Sequence, residues 1–171
     1  LEDKGWDEAM TGCEYVLHVA SPFINIEPKD SSKYIKPAVE GTKRALEASK
    51  RAGIKRIVIT SSIVSMLGDA NHSMDVHDGM WTNVNAKNIS AYAKSKTLAE
   101  QYAWDFIKSQ SDESPLELVV INPGPVFGPT LSGNLEGTSM QMFKKMVTGA
   151  IPMIPQAGML SLIHISEPTR P

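Results

Sequence analysis

Tyr92 and Lys96 stand four residues apart in the run Ser90-Ala91-Tyr92-Ala93-Lys94-Ser95-Lys96. On a helix that spacing puts both side chains on one face, a turn apart. A phenol with its ordinary pKa of about 10 is a poor acid or base at neutral pH. A nearby ammonium favours the phenolate, lowers that pKa and makes the tyrosine a usable proton donor and acceptor. The pair alone is weak, because a half-buried tyrosine beside a solvated lysine looks the same in sequence. Further hydroxyls stand in Ser61-Ser62, at the end of an apolar run, and two similar runs end in Ala20-Ser21-Pro22 and Asn122-Pro123-Gly124.

The elements that must position these groups follow from the hydrophobic pattern. Glu14 to Ala20, Ile57-Val58-Ile59 and Leu116 to Ile121 are short, continuously apolar runs. Continuous apolarity predicts parallel strands buried on both faces. Between the first two lies a helical segment with Val39, Thr42, Ala45, Leu46 and Ser49 on one face. The polar stretch Glu27 to Ser32 would supply its N-cap, Pro37 would sit in or near its first turn, and Gly53 would close it. Ala91 to Lys108 predicts a second helix, capped by Ser90, with Leu98, Ala99, Tyr102, Ala103 and Phe106 on one face. Ser139 to Val147 predicts a third, and Met66 to Asn88 a loop. No internal repeat or low-complexity run occurs. Alternating strands and helices imply an α/β fold with a parallel sheet, whose chemistry gathers at the carboxyl ends of the strands.

Bulk composition bounds the partners. In 171 residues, hydrophobic types make up 42% and charged types 21%, with a formal net charge of −2. This is ordinary globular usage and offers no electrostatic case for nucleic acid or an anionic membrane as partner. One cysteine, Cys13, cannot form an internal disulfide, which fits a reducing, cytoplasmic compartment, and no activating neighbour marks it as reactive. No apolar run approaches a membrane span. His72 and His77 lack a convincing set of partner ligands, so no metal is expected. His18 reads as a hydrogen-bonded core residue, and Met140, Met142 and Met146 as core. Trp81 reads as a loop anchor, with a place in a substrate pocket as the alternative.

Five segments in order resemble the extended short-chain dehydrogenase/reductases of the epimerase/dehydratase superfamily, over about residues 5 to 155. Gly12 to Pro22 is similar to that family's fourth strand, Pro37 to Thr42 to the next helix, and Lys55 to Ser62 to the fifth strand. Ser90 to Glu100 resembles the active-site helix, and Asn122 to Pro129 the loop after the sixth strand. The likeness is strongest to dihydroflavonol 4-reductase, cinnamoyl-CoA reductase and related aldehyde or ketone reductases. It implies a Rossmann-like, doubly wound parallel sheet, truncated to about strands 4 to 6 with their helices. It further implies that Ser62, in preference to Ser61, hydrogen-bonds a substrate carbonyl oxygen and that Tyr92 donates the proton. Lys96 would hold the nicotinamide ribose and tune Tyr92. Val19, Ala20 and Ser21 would line the cofactor with Tyr92 and Lys96, and Pro123, Gly124 and Val126 would border the nicotinamide. For Gly124 a simple strand-ending turn is an equal reading. The implied cofactor is NADP, with NAD as the alternative, and the implied partner a small-molecule carbonyl substrate. The oligomeric state stays open.

The sequence departs from the family in two places. No Gly-x-Gly-x-x-Gly or Gly-x-x-Gly-x-x-Gly occurs, so the phosphate-binding turn and the first three strands are expected upstream of Leu1, and most of a substrate lobe downstream. Residues 1–159 read as a partial nucleotide-binding domain. Residues 160–171 (Leu-Ser-Leu-Ile-His-Ile-Ser-Glu-Pro-Thr-Arg-Pro) look like the translation of a sequencing adapter and are expected to carry no function. Two other functions share the fold. A sugar-nucleotide epimerase or dehydratase is one, although sugar dehydratases usually carry an acid pair where Ile63, Val64 and Ser65 stand. A non-catalytic cofactor-sensing protein is the other, although such proteins typically lose the tyrosine.

Overall fold

Three of the apolar runs pair as parallel strands in the computed structural model. It describes residues 4–22, 28, 30–70, 75–111, 115–127, 133 and 137–150, with the backbone of 162–163. Two compact units divide the chain after Asn122. In the first, β1 (Tyr15–His18), β2 (Arg56–Thr60) and β3 (Glu117–Ile121) form a sheet of order β1-β2-β3. Its register sets Leu17 beside Val58 and Val58 beside Val119. Three further helices accompany the sheet: α1 (Trp6–Met10), α2 (Ser32–Arg51) and α3 (Val64–Leu67). The long helix α4 (Ala91–Lys108) has the bounds the sequence predicts.

The core lies between α2, α4 and one face of the sheet. Ala45, Leu46, Ile54, Ile57, Ile59, Ala103 and Leu116 form one buried cluster. Each large apolar side chain fully buried there contributes about 1.5–3 kcal/mol. The expectation of strands buried on both faces is corrected. Tyr15 is 58% exposed, Leu17 73% and Ile121 51%, all on the face opposite Ile57 and Ile59. The cause is that α2 and α4 pack side by side over the same face, leaving the other uncovered among the described residues.

Helix α2 starts earlier than its proline suggests. Pro37 is the sixth helical residue rather than part of the first turn, so one backbone bond is missing in the second turn. The buried Tyr34 holds the first turn in place. Ser31 precedes the helix without capping it through its side chain, while Asp30 Oδ1 accepts from Ser32 N at 3.0 Å. Its end follows the sequence reading: Gly53, at φ 66°, donates to Lys50 O, and Ile54 donates to Ser49 O. That paired pattern closes the helix with a left-handed residue that glycine adopts without a steric penalty.

The sequence did not disclose α3, which overlaps the segment read as a loop only at Met66 and Leu67. It is tied down from a distance. Thr82, 2% exposed, donates from Oγ1 to Val64 O and accepts from Gly68 N, both at 2.7 Å. A Cβ at Gly68 would lie 2.5 Å from Val64 O and 2.7 Å from Ala93 Cβ, so only glycine fits between α3 and α4.

In the second unit, α5 (Thr138–Val147) forms as predicted, one residue longer at its start. No residue of α5 is buried, which corrects the core reading of Met140, Met142 and Met146. β4 (Val126–Phe127) pairs in parallel with β5 (Leu162–Ile163). Apart from the backbone of β5, residues 160–171 lie outside the described residues, as does His72. Among the described residues no helix is long and apolar enough to cross a membrane, and no three His, Cys, Asp or Glu side chains cluster as metal ligands would.

Candidate active site

The serine pair continues directly from β2. Ser61 N donates to Ile121 O at 2.8 Å, extending the pairing with β3 one residue past the strand. The chain then turns into α3, and Ser62, 8% exposed, sits at the carboxyl end of the central strand. Its carbonyl oxygen accepts from Ser65 N (2.9 Å) and Asn122 Nδ2 (3.2 Å), with Ser65 Oγ also 2.9 Å away. Its Oγ meets Val64 N at 3.4 Å.

Helix α4 brings the other two groups. Ser90 Oγ accepts from Ala93 N at 3.1 Å, so the cap sets where the first turn begins and how it is rotated. Tyr92 on that turn is half-buried, and its hydroxyl is hydrogen-bonded to the Ser62 side chain. One turn on, Lys96 is 7% exposed and runs beneath the end of β2, where Nζ donates to Thr60 O at 3.1 Å. Its Nζ is 6.0 Å from the centre of the Tyr92 ring. Ser62, Tyr92 and Lys96 thus come together from a strand end and one helix face.

The electrostatics differ from the sequence expectation in one respect. Burial pushes the Tyr92 phenol above its ordinary value, and the Ser62 hydrogen bond offsets part of that rise. The lowering expected from Lys96 is not what the structure gives: burial prevails, and the Lys96 ammonium donates to the Thr60 carbonyl. Lys96 is itself lowered by burial and partly restored by the Glu100 carboxylate one turn on. His18 is lowered by burial and then by the Lys96 charge, so it is neutral at neutral pH. Among the described residues it makes no side-chain hydrogen bond, which corrects its reading as a bonded core residue.

A small recess adjoins Lys96. Its free volume is about 20 Å³, and His18, Ala20, Ser21, Thr60, Ser61 and Lys96 line it. That is room for roughly one water-sized group. The buried Ser61 Oγ has no hydrogen-bond partner among the described residues, and Lys96 Nζ has hydrogens beyond the one given to Thr60. Ala20 and Ser21 line the recess with Lys96, whereas Val19 is 64% exposed and does not. Pro123 and Gly124 lie in the extended link that opens the second unit, and Val126 lies in β4.

Sequence reasoning gave no role to Ser65 or Glu100 and placed Asn122 only at a strand end; the three form a polar cluster behind Ser62, with Ser65 and Glu100 buried and Asn122 half-buried. The signal for Glu100 was visible: an acid four residues after Lys96 shares its helix face. Trp81 is 40% exposed and lines an open cleft of about 610 Å³ with Met80, Trp104 and Leu118. Neither Ser62 nor Tyr92 lines that cleft.

Comparison with known proteins places this geometry in context. A sequence profile of the NAD dependent epimerase/dehydratase family matches residues 1–161. The chain is similar to tetraketide alpha-pyrone reductase 1 of Arabidopsis thaliana, 32% identical over 175 residues, 99% of this chain and 52% of that protein. It is also similar to cinnamoyl-CoA reductase 2 of Medicago truncatula, 35% identical over 84% of this chain and 42% of that protein. Among solved structures, Gre2 of Candida albicans in complex with NADPH aligns with a TM-score of 0.68 and 29% identity. It covers 91% of this chain and 48% of its own. The chain spans about half the length of the curated relatives it matches.

Proposed function

The chain belongs to the NAD dependent epimerase/dehydratase family, and from that premise we propose that the protein it represents reduces an aldehyde or ketone to an alcohol with NADPH. The observation that carries this reading is the hydrogen-bonded Ser62–Tyr92 pair at the end of β2, with the buried Lys96 ammonium one turn along α4. The reductase names among the relatives, and the NADPH bound by Gre2, support it. NAD is the alternative nucleotide.

The residues present suit a nicotinamide nucleotide at this place. Lys96 has ammonium hydrogens to offer a ribose hydroxyl, and the Ser61 hydroxyl at the same recess, without a hydrogen-bond partner among the described residues, can offer another contact. Ala20 and Ser21 would flank it, with Val19 as a further contact. Bound NADPH supplies the hydride. Ser62 then holds the carbonyl oxygen of the substrate through its hydroxyl, and Tyr92 donates its phenolic proton to that oxygen as negative charge develops. A phenol raised by burial is fully protonated at neutral pH, the form that reduction needs.

The test uses the full-length protein with NADPH and a panel of aldehydes, ketones and acyl-CoA thioesters, set against nucleotide sugars. The expected result is stoichiometric NADPH consumption with carbonyl substrates, with Lys96→Ala lowering both turnover and nucleotide affinity. Interconversion of a nucleotide sugar with no net NADPH consumption would overturn the reductase reading in favour of an epimerase or dehydratase.

A further inference from the structure

We propose that Glu100 is a positioning residue: its buried carboxylate ties the end of β3 to the β2–α3 turn, sets Ser62 against Tyr92, and serves as counterion to Lys96. The inference rests on the reading of Ser62, Tyr92 and Lys96 as the reacting set, and extends it to the groups behind them.

The geometry converges on one oxygen. Glu100 is 7% exposed, and its Oε2 accepts from Ser65 Oγ at 2.7 Å and from Asn122 Nδ2 at 2.8 Å. Asn122 Nδ2 also reaches Ser65 Oγ at 2.8 Å and Ser62 O at 3.2 Å. Ser65 carries one hydroxyl hydrogen and the amide two, for acceptors on Ser62, Ser65 and Glu100. The shortest bond runs from Ser65 to the carboxylate, as a charge-assisted bond should. The amide orientation follows as well, since the flipped form would set its oxygen against a carboxylate. With its one hydroxyl hydrogen on Glu100, Ser65 holds the Ser62 carbonyl through its backbone N–H and Asn122 holds it through one amide hydrogen, so both residues that pin that carbonyl are anchored on Glu100. Ser62 is thereby fixed to α4, the helix that carries Tyr92.

Charge supplies the second half. Lys96 is buried, and the Glu100 carboxylate one turn away on the same helix is the group that restores its affinity for a proton. The other titratable group at the recess is His18 on β1, which is neutral and sees the Lys96 charge without opposing it. A buried cation without a counterion is costly, and it answers by losing its proton.

Three variants of the full-length protein separate the two roles. Glu100→Gln keeps an oxygen that accepts from Ser65 and Asn122 but removes the charge. The Lys96 side chain, followed by NMR, should then lose its proton about one pH unit lower or more, and the pH at which nucleotide affinity falls should shift with it. Asn122→Ala and Ser65→Ala keep the charge but loosen Ser62. Turnover per folded molecule should fall roughly tenfold with each, with nucleotide KM and the Lys96 titration unchanged. Glu100→Ala should combine both effects, and Glu100→Gln should recover most of its loss in turnover. If Glu100→Ala fails to fold, the other three variants decide. Wild-type turnover per folded molecule in Asn122→Ala and Ser65→Ala, with an unmoved Lys96 titration in Glu100→Gln, would overturn the proposal. If the wild-type protein reduces no carbonyl while the Lys96 titration moves as stated, the reductase reading falls and the counterion role stands.

Discussion

Replacing Tyr92 by phenylalanine removes one oxygen, and the structure sets two very different sizes for its consequences. For stability, the change deletes the hydrogen bond to Ser62 and relieves the cost of holding a half-buried phenol. A neutral hydrogen bond is worth about 1 kcal/mol net, and Ser62 Oγ keeps Val64 N at 3.4 Å. The unfolding midpoint should therefore move by no more than about 2–4 °C in a protein of this size or larger. For turnover, the change deletes the proton donor. A positioned acid contributes about 10²- to 10⁴-fold, equivalent to roughly 2.7–5.5 kcal/mol of barrier. Lys96 and the recess residues are untouched, so nucleotide affinity should stay near wild type. The assays are steady-state NADPH oxidation, nucleotide binding by fluorescence or calorimetry, and thermal unfolding, on full-length wild-type and Tyr92→Phe proteins. A kcat within about threefold of wild type, less than ~1 kcal/mol of barrier, would refute the assignment of Tyr92 as proton donor. A large loss of both stability and nucleotide binding would show that the phenol has a structural task the hydrogen-bond pattern does not disclose.

The raised Tyr92 pKa carries a sign for pH dependence. Reduction consumes the phenolic proton, so its rate should hold through neutral pH and fall only as pH passes a value above the ordinary phenol range of about 10. Alcohol oxidation should rise over the same interval, and a reduction limb centred near pH 7 would show that Lys96 governs Tyr92 after all. The same shift makes the folded state lose stability as pH rises above about 10, which alkaline unfolding measures. Gly68→Ala forces a Cβ to within 2.5 Å of Val64 O and should destabilise by about 1–3 kcal/mol; an unchanged denaturation midpoint would contradict the packing. Residues 1–171 expressed alone should be inactive and prone to aggregate, because the edge strand β1 exposes Tyr15 and Leu17 beside unpaired backbone. Sedimentation showing a monodisperse, cooperatively unfolding species that binds NADPH tightly would refute that expectation.

Much of the scaffold was legible in the sequence because its signals are local. The bounds of α4 follow from Ser90 as cap and an unbroken helical period, the end of α2 from Gly53, and the three strands from short apolar runs. The placement of Tyr92 and Lys96 on one helix face follows from their spacing alone. Other features were decided only when distant segments met. Pro37 lies within α2 because the buried Tyr34 extends the helix past it. α3 exists because Thr82 reaches back to Val64 O and Gly68 N across a segment with no period of its own. The Tyr92 phenol is raised rather than lowered because packing half-buries it, a cost that the Ser62 hydrogen bond only partly offsets. Ser65, Glu100 and Asn122 are far apart in sequence and polar in type, so no pattern marks them as a unit. They become one because three elements meet at a single buried oxygen, where each unpaired donor would be costly.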